Sequence, residues 1–356
     1  MRAWRVHGTG EPEAVFVEDD VAAPTLADLE GQGMGLAGWG PPAPGSAPFT
    51  DFVLLRMAVA ALSLPDVTMA RGSYPVPVAR PYTSGQEGVG VVTAAPPSHA
   101  HLLGRKVAAV CIQPYGSLAE VAVGVSMIFP VPDGLTDEQA AGFVIPAHTA
   151  YHVVQRRGRV QAGETVVVLG AAGGLGAAIV QLAVLAGAHV VAVVGGPDKV
   201  EFALSLGAAA AVDHLAGDAV EGVRAVTRDR GVDVVVDPVQ GDLGARMRDL
   251  LVPDGRHVLC GHAGGLLPHD PHFYVRNHTL VGATLGGYPR PEMQRIHAET
   301  AAALDSLVAD GRFRPTVTRT IEFDDVPAAL ADLVARRTIG RVAVRIPQAS
   351  TSPRPR

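Results

Sequence analysis

The stretch Leu169–Lys199, LGAAGGLGAAIVQLAVLAGAHVVAVVGGPDK, restricts the fold more than any other part of the chain. It is long and apolar enough to raise the question of a bilayer span, which needs roughly 20 unbroken apolar residues. Its punctuation argues against one. Gly170, Gly173, Gly174 and Gly176 crowd its start, and Gly187 and His189 interrupt its middle. It divides instead into a β-branched strand (Thr165–Leu169), a helix rich in Ala, Leu and Ile (Leu175–Ala186) and a second apolar strand (His189–Val194). Strand, glycine turn, helix and strand make a βαβ unit.

The alternation continues. Helices are expected over Asp198–Leu206, Gly217–Asp229 and Asp242–Leu251, and strands over Ala210–Asp213, Asp233–Asp237, Arg256–Cys260 and Thr279–Leu285. Six strands that read as continuous apolar runs imply an α/β fold with a doubly wound parallel sheet, covered on both faces. Its ligand crevice lies at the carboxyl ends of the strands. The segment Ala171-Ala172-Gly173-Gly174-Leu175-Gly176 fits a dinucleotide fingerprint with Ala in the first glycine position. Gly173 would let a pyrophosphate approach the backbone, and Gly176 would let helix and sheet pack closely. The helix N-terminus would offer its unpaired N–H groups and positive dipole end.

The second strand ends in VVGGPDK. An NAD site carries a carboxylate there for the ribose 2′-hydroxyl. Here the positions are Gly195 and Gly196, with Lys199 a turn later to pair with a 2′-phosphate. NADP is therefore favoured over NAD. Asp198 is the rival ribose partner, but its place after Pro197 suits the first turn of a helix.

Residues 1–145 read as short strands: Ala14–Glu18, Phe52–Ala60, Gly88–Thr93, Lys106–Cys111 and Leu118–Val123. These imply a discontinuous, partly open β-barrel, completed by strands at Val317–Phe323 and Arg341–Ile346. A helix over Pro291–Asp310 and another over Asp325–Arg336 go with it, so the division is 1–145 and 288–356 against 146–287. Residues 31–48, GQGMGLAGWGPPAPGSAP, are expected to form an irregular surface loop or lid, and ASTSPRPR (349–356) a frayed tail.

The net charge of −6 comes without any Lys/Arg run, which argues against nucleic acid as a partner. Two cysteines in 356 residues, and no apolar signal core in MRAWRVHGTGEPEAVFVEDD, fit a reducing cytoplasm. No membrane association is expected.

The whole layout resembles the medium-chain dehydrogenase/reductase superfamily. The resemblance rests on Asp66 with RGSYPVPVARPYTSGQEGVG (71–90), on PAHTAYHVV (146–154), QAGETVVVLGAAGGLG (161–176) and ALSLGAAAAVDH (203–214), and on GRHVLCGHAGG (255–265), LVGATLGGY (280–288) and IGRVAVRI (339–346). It is nearest to the zinc-free NADPH:quinone oxidoreductase branch. Zinc-dependent relatives place a Cys in the segment Ala61–Asp66 and a His before Glu87; here the segment has no Cys, and Gln86 precedes the Glu. No metal is expected.

The resemblance implies a GroES-like catalytic domain beside a Rossmann domain. It implies hydride transfer from NADPH to a quinone or an α,β-unsaturated carbonyl. Cofactor contacts are implied at Thr149, Ala172, Gly173, Gly174, Leu175, Gly176, Gly195, Gly196, Lys199, Cys260, Gly261 and Asn277. Substrate-side candidates are Ser63, Tyr74, Tyr82 and His148, with Ser63 standing where the family has Asn and His148 a candidate proton relay; Tyr288 is read as a packing residue closing the last strand. Two rival functions are an enoyl-thioester reductase acting on carrier- or CoA-bound acyl chains and a non-catalytic NADPH-binding sensor. A homodimer paired along the sheet edge near 279–287 is implied as well.

Overall fold

The computed structural model describes residues 1–35, 38–40 and 49–348. The chain forms two compact units, Met1–Ile145 with Val317–Arg356, and Pro146–Thr316.

In the second unit six strands pair in the order Ala210–Asp213, His189–Val194, Thr165–Leu169, Val232–Asp237, Leu251–Leu259, Thr279–Gly282, and every pairing is parallel. This is the doubly wound sheet. The strands nearest its middle are the most apolar. Val166, Val167, Val168 and Leu169 are fully buried, flanked by Val190 and Ala192 on one side and Val234, Val235 and Val236 on the other. A strand buried on both faces has no need for alternation, which is why these runs read as continuous. The first strand lies between the second and the fourth. The chain therefore leaves it in one direction and later returns on its other side. That reversal opens a crevice at the carboxyl ends of these strands, where the glycine turn lies.

Most boundaries in this sheet differ from the sequence reading by one to three residues; the last strand ends at Gly282 rather than Leu285, so that Tyr288 lies beyond it. The fifth strand is the exception, starting at Leu251 rather than Arg256. The helix Arg290–Ala309 belongs to this unit, whereas the sequence division assigned residues 288–316 to the other. Its polar sequence disguised the attachment, because only the face bearing Ile296, His297, Thr300, Ala301, Leu304 and Val308 is buried.

In the first unit the strands Phe52–Leu62, Glu87–Ala94, Lys106–Cys111 and Val121–Pro130 pair in sequence, and the first also pairs with the last. Four strands thus close on themselves. Arg341–Arg345 pairs with the far end of Phe52–Leu62, and Val317–Glu322 pairs with Arg341–Arg345 to leave one open edge. The barrel interior holds Val53, Leu55, Met57, Val107 and Ala122, all fully buried.

Two local expectations are corrected. Ala14–Glu18 is not one strand: Pro12–Val15 is a helical turn with Pro at its first position, and the strand is Phe16–Asp20, paired with the unforeseen strand Arg2–Val6. Within the 31–48 insert, Gly33–Gly35 and Gly38–Gly40 form an antiparallel two-stranded ribbon rather than irregular loop. Residues 36, 37 and 41–48 of that insert, and the expected tail at 349–356, lie outside the described residues. Among the described residues no helix is long and apolar enough to cross a membrane.

Candidate functional site

The first sheet strand hands over to its helix through Gly170–Gly173. Gly170 adopts φ 60°, and Gly173 N–H donates to Gly170 O at 3.0 Å. Gly173 caps the helix Gly174–Leu185 in an extended conformation, φ −80° and ψ 170°. The first-turn N–H groups, those of Gly174, Leu175 and Gly176, have no carbonyl within the helix to receive them.

The glycines here differ in what they do. A Cβ on Gly176 would stand 2.2 Å from Gly170 O and 2.8 Å from Ala171 Cα. Backbone cannot yield there, so Gly176 is fixed by packing of helix on strand. A Cβ on Gly173 would meet nothing closer than Gly170 O at 3.4 Å, and Gly173 is exposed. Nothing in the protein requires glycine at 173. The space that it leaves open lies at the helix N-terminus, where an anion is favoured by orphan N–H groups and the macrodipole together. The turn fits a dinucleotide pyrophosphate. Ala172 beside it is buried, and Leu175 is half-buried.

Gly195 and Gly196 follow the second strand, Gly196 with φ 100°. They are bound to the end of the third strand. His214 N–H donates to Val194 O at 2.9 Å, and Gly196 N–H donates to Asp213 Oδ1 at 2.8 Å. Leu215 N–H donates to the same oxygen at 2.9 Å. These backbone donors hold the Asp213 carboxyl below its ordinary range. A Cβ on Gly195 would stand 2.9 Å from His214 Nε2, so the imidazole lies over the Gly195 backbone. Lys199 is half-buried in the first turn of the helix Pro197–Ser205.

Cys260 and Gly261 follow the fifth strand. Cys260 N–H donates to Asp237 O at 3.1 Å, and a Cβ on Gly261 would stand 2.6 Å from Pro238 O. Burial, with the charge of Asp237, pushes the Cys260 thiol well up, so it stays protonated and offers backbone rather than thiolate chemistry. Asp237 itself, fully buried, was not foreseen. It accepts from Val239 N–H at 2.8 Å and Gln240 N–H at 2.6 Å, and its other oxygen lies 2.8 Å from His257 Nε2. It thereby holds the turn against which Gly261 packs. The run DVVVD disclosed a strand, but not that its last residue turns inward.

Asn277 does not join these residues. It is exposed, with φ 56°, and precedes the strand Thr279–Gly282. Thr279 aligns with Arg256 and Gly282 with Leu259, so position 277 sits at the amino edge of a parallel sheet. The glycine turns sit at its carboxyl edge. Asn277 serves the left-handed turn, with its N–H donating to Tyr274 O at 3.2 Å. Thr149 is half-buried in the helix Val144–Tyr151, which runs on into a π-helical segment, His152–Arg157. His148 is fully buried, so it has no solvent face from which to relay a proton. Tyr288, beyond the last strand, places its hydroxyl 3.5 Å from His152 Nε2 with the rings edge to face. Burial, with Arg156 and Arg157 nearby, pushes the His152 imidazole down to about 4.

In the barrel unit Ser63 caps the helix Leu64–Ala70. Its hydroxyl donates to Asp66 Oδ2 at 2.7 Å and its N–H to the same oxygen at 2.8 Å. Asp66 Oδ1 accepts from Ser84 Oγ at 2.8 Å and Gly85 N–H at 2.9 Å. The fully buried Asp66 carboxylate is therefore saturated, and the one proton of Ser63 is committed to it. Ser63 retains acceptor capacity only. Tyr82 is a core residue, fully buried, rather than a substrate-facing one. Tyr74 is half-buried, and burial with the charge of Asp66 raises its phenol.

The residues at the positions of a catalytic zinc do not fit the ion. Glu87 Oε1 accepts from Arg341 Nη2, and Oε2 accepts from Ile145 N–H at 2.8 Å. Burial pushes the Glu87 carboxyl up to about 7 despite both donors. Ser63 and Gln86 supply no thiolate or imidazole. Among the described residues no three His, Cys, Asp or Glu side chains converge as a metal-holding group.

Known proteins share this fold. A probable oxidoreductase from Mycobacterium abscessus is 31% identical, with 97% of this chain and 98% of that one covered and a TM-score of 0.77. The chain belongs to the medium-chain dehydrogenase/reductase superfamily, as a quinone oxidoreductase-like member. Residues 174–303 match the family described as zinc-binding dehydrogenase. A quinone oxidoreductase from Thermus thermophilus, solved alone and with NADPH, is 28% identical over 97% of this chain and 100% of its own, with a TM-score of 0.75. The quinone oxidoreductase-like protein 2 of Bos taurus is 26% identical over 290 residues, 80% of this chain and 82% of the relative. The relatives described above are oxidoreductases or oxidoreductase-like, and this chain is an oxidoreductase of that type.

Proposed function

We propose that this oxidoreductase uses NADPH to reduce a quinone or an α,β-unsaturated carbonyl, without a metal. The observation that supports it best is the contrast between Gly176, which packing demands, and Gly173, which it does not. A conjugated acceptor spreads developing charge into its own oxygen and needs less Lewis-acid help than an isolated ketone. That suits a barrel unit whose Glu87 is spent on Arg341 and Ile145.

In this reading the N–H groups of Gly174, Leu175 and Gly176 hold the pyrophosphate, with Ala172 and Gly173 leaving room for it. Gly195, Gly196 and Lys199 receive the 2′-phosphate, while Thr149 and the backbone of Cys260 and Gly261 orient the nicotinamide end. The reduced nicotinamide supplies a hydride when bound. Tyr74 is the donor for the acceptor oxygen, since its raised phenol keeps its proton at neutral pH. Ser63 accepts a hydrogen bond rather than giving one, and Asp66 fixes it in that sense. The proton that completes the reduction comes from water.

The partner is a second copy of this chain, paired along the exposed edge of the parallel sheet. Thr279–Gly282 is an edge strand, and Leu280 on it is 45% exposed. Tyr274 and Val275, just ahead of it, are both 64% exposed. Unpaired edges with apolar side chains are normally covered.

The test is NADPH oxidation measured over quinones, enones and a crotonyl thioester, with NADH as control. Turnover of quinones or enones bears the reading out. Turnover confined to the thioester makes the chain an enoyl reductase, and tight coenzyme binding without any turnover makes it a sensor.

A further inference from the structure

The fourth strand, Val232–Asp237, is followed by a turn with one residue under strain. Gln240 adopts φ 58° and ψ −143°, at the edge of a region that is essentially reserved for glycine. It stands at the N-cap of the helix Gly241–Arg248, yet its side chain makes no cap bond. Short polar residues and glycine are the preferred ones there. Neither the backbone nor the helix calls for glutamine. The side chain is spent on another segment: Nε2 donates to Gly261 O, and Oε1 accepts from Leu267 N–H at 2.9 Å. These bonds extend a ladder between the two loops. Cys260 N–H donates to Asp237 O at 3.1 Å, Ala263 N–H to Pro238 O at 3.2 Å and Gly264 N–H to Val239 O at 2.7 Å. Those three bonds fix N–H groups of the later loop, whereas the Gln240 amide fixes a carbonyl. A peptide is planar, so holding Gly261 O also sets the peptide plane that follows Gly261. Gln240 is held in turn. Its N–H donates to Asp237 Oδ1 at 2.6 Å, and the other oxygen of that fully buried carboxyl lies 2.8 Å from His257 Nε2. A sparsely populated conformation that the surroundings over-determine points to a use for the side chain.

We propose that Gln240 is a positioning residue: its amide clamps the loop 260–267 to the end of the fourth strand and so sets the Cys260 and Gly261 backbone for the nicotinamide. This rests on the coenzyme reading above, in which that backbone orients the nicotinamide end, and it adds the residue that holds the backbone in place. Gln240 acts through Gly261 and not on the coenzyme itself. The strained backbone at 240 is the cost of placing an amide where it reaches both Gly261 O and Leu267 N–H.

The experiment measures Kd by calorimetry for two ligands in the wild type, in Gln240→Gly and in Gln240→Asn. One ligand is NADPH. The other is 2′-phospho-ADP-ribose, which keeps the pyrophosphate and the 2′-phosphate and lacks the nicotinamide. Glycine takes the backbone conformation freely and removes the amide. Asparagine keeps an amide but is a methylene too short to reach Gly261 O and Leu267 N–H together. The expected result in both variants is a Kd for NADPH about tenfold higher, with the Kd for the truncated ligand unchanged within about twofold. A side chain that merely supported the fold would not tell the two ligands apart. Equal weakening of both, or weakening of neither, overturns the proposal and leaves the coenzyme reading standing. Failure of the wild type to bind either ligand overturns both. Urea unfolding of the same samples completes the test. Gln240→Gly relieves the strained backbone and is expected to unfold no earlier than the wild type. Early unfolding of both variants makes Gln240 a structural support and overturns the proposal.

Discussion

At the scale of single residues, the glycines of the first turn separate packing from binding. Gly176→Ala sets a methyl 2.2 Å from a backbone oxygen, and we expect a loss of more than about 3 kcal/mol in urea unfolding. Gly173→Ala has room, so its stability should change by less than about 1 kcal/mol, while NADPH affinity drops about tenfold as the methyl enters the phosphate's space. Comparable stability loss in both variants would contradict the distinction. Gly195→Asp places a carboxylate against His214, whose ring is the far end of a side chain and can swing aside. Coenzyme preference should move toward NADH by about tenfold or more, measured as the ratio of kcat/KM values. The fingerprint and the missing acid were both legible in the sequence. The imidazole over Gly195 was not, because 19 residues separate the two positions and only the parallel pairing of their strands brings them together.

At the scale of elements, the helix Val144–Tyr151 and its π-helical continuation are tied to the segment after the last strand by His152 and Tyr288. The imidazole is buried and neutral, with its folded value lowered to about 4 from an ordinary value near 6.5. A lowered value means that the contribution to stability is complete above the unfolded value and is lost as pH falls through the folded one. Stability should therefore decline between pH 6.5 and pH 4 by an amount on the order of 1–3 kcal/mol. In His152→Phe that part of the decline should vanish, as read from urea midpoints across the range. An unchanged pH profile would remove His152 as its source. The helix Leu64–Ala70 has a comparable dependence on one residue. Asp66→Ala strands the donors of Ser63, Ser84 and Gly85 in the interior and should cost about 3–5 kcal/mol.

At the scale of the whole molecule, the exposed sheet edge carries the prediction. Leu280→Lys puts a charge on the edge strand without touching the buried face of the sheet, since Leu280 is 45% exposed. If two copies pair there, sedimentation should show the wild type as a dimer and the variant as a monomer with its fold intact. A wild type that sediments as a monomer refutes the pairing. The division of the chain is also decided at this scale. The helix Arg290–Ala309 looks in sequence like a connector to the barrel strands that follow it, and it is instead part of the unit that holds the parallel sheet.

Local chemistry written in the sequence determined the strand–turn–helix order, the parallel sheet, the glycine turn and the absence of a ribose acid. Each depends on neighbours within a few positions or on a run of apolar side chains. Tertiary structure alone decided which protons and lone pairs remain for a ligand. Ser63 lost its donor to Asp66, Glu87 spent both oxygens on Arg341 and Ile145, His148 was sealed in the interior, and Asn277 fell at the wrong edge of the sheet. Hydrogen bonds reach only about 3 Å, so who satisfies a polar group depends on what folding brings within that distance.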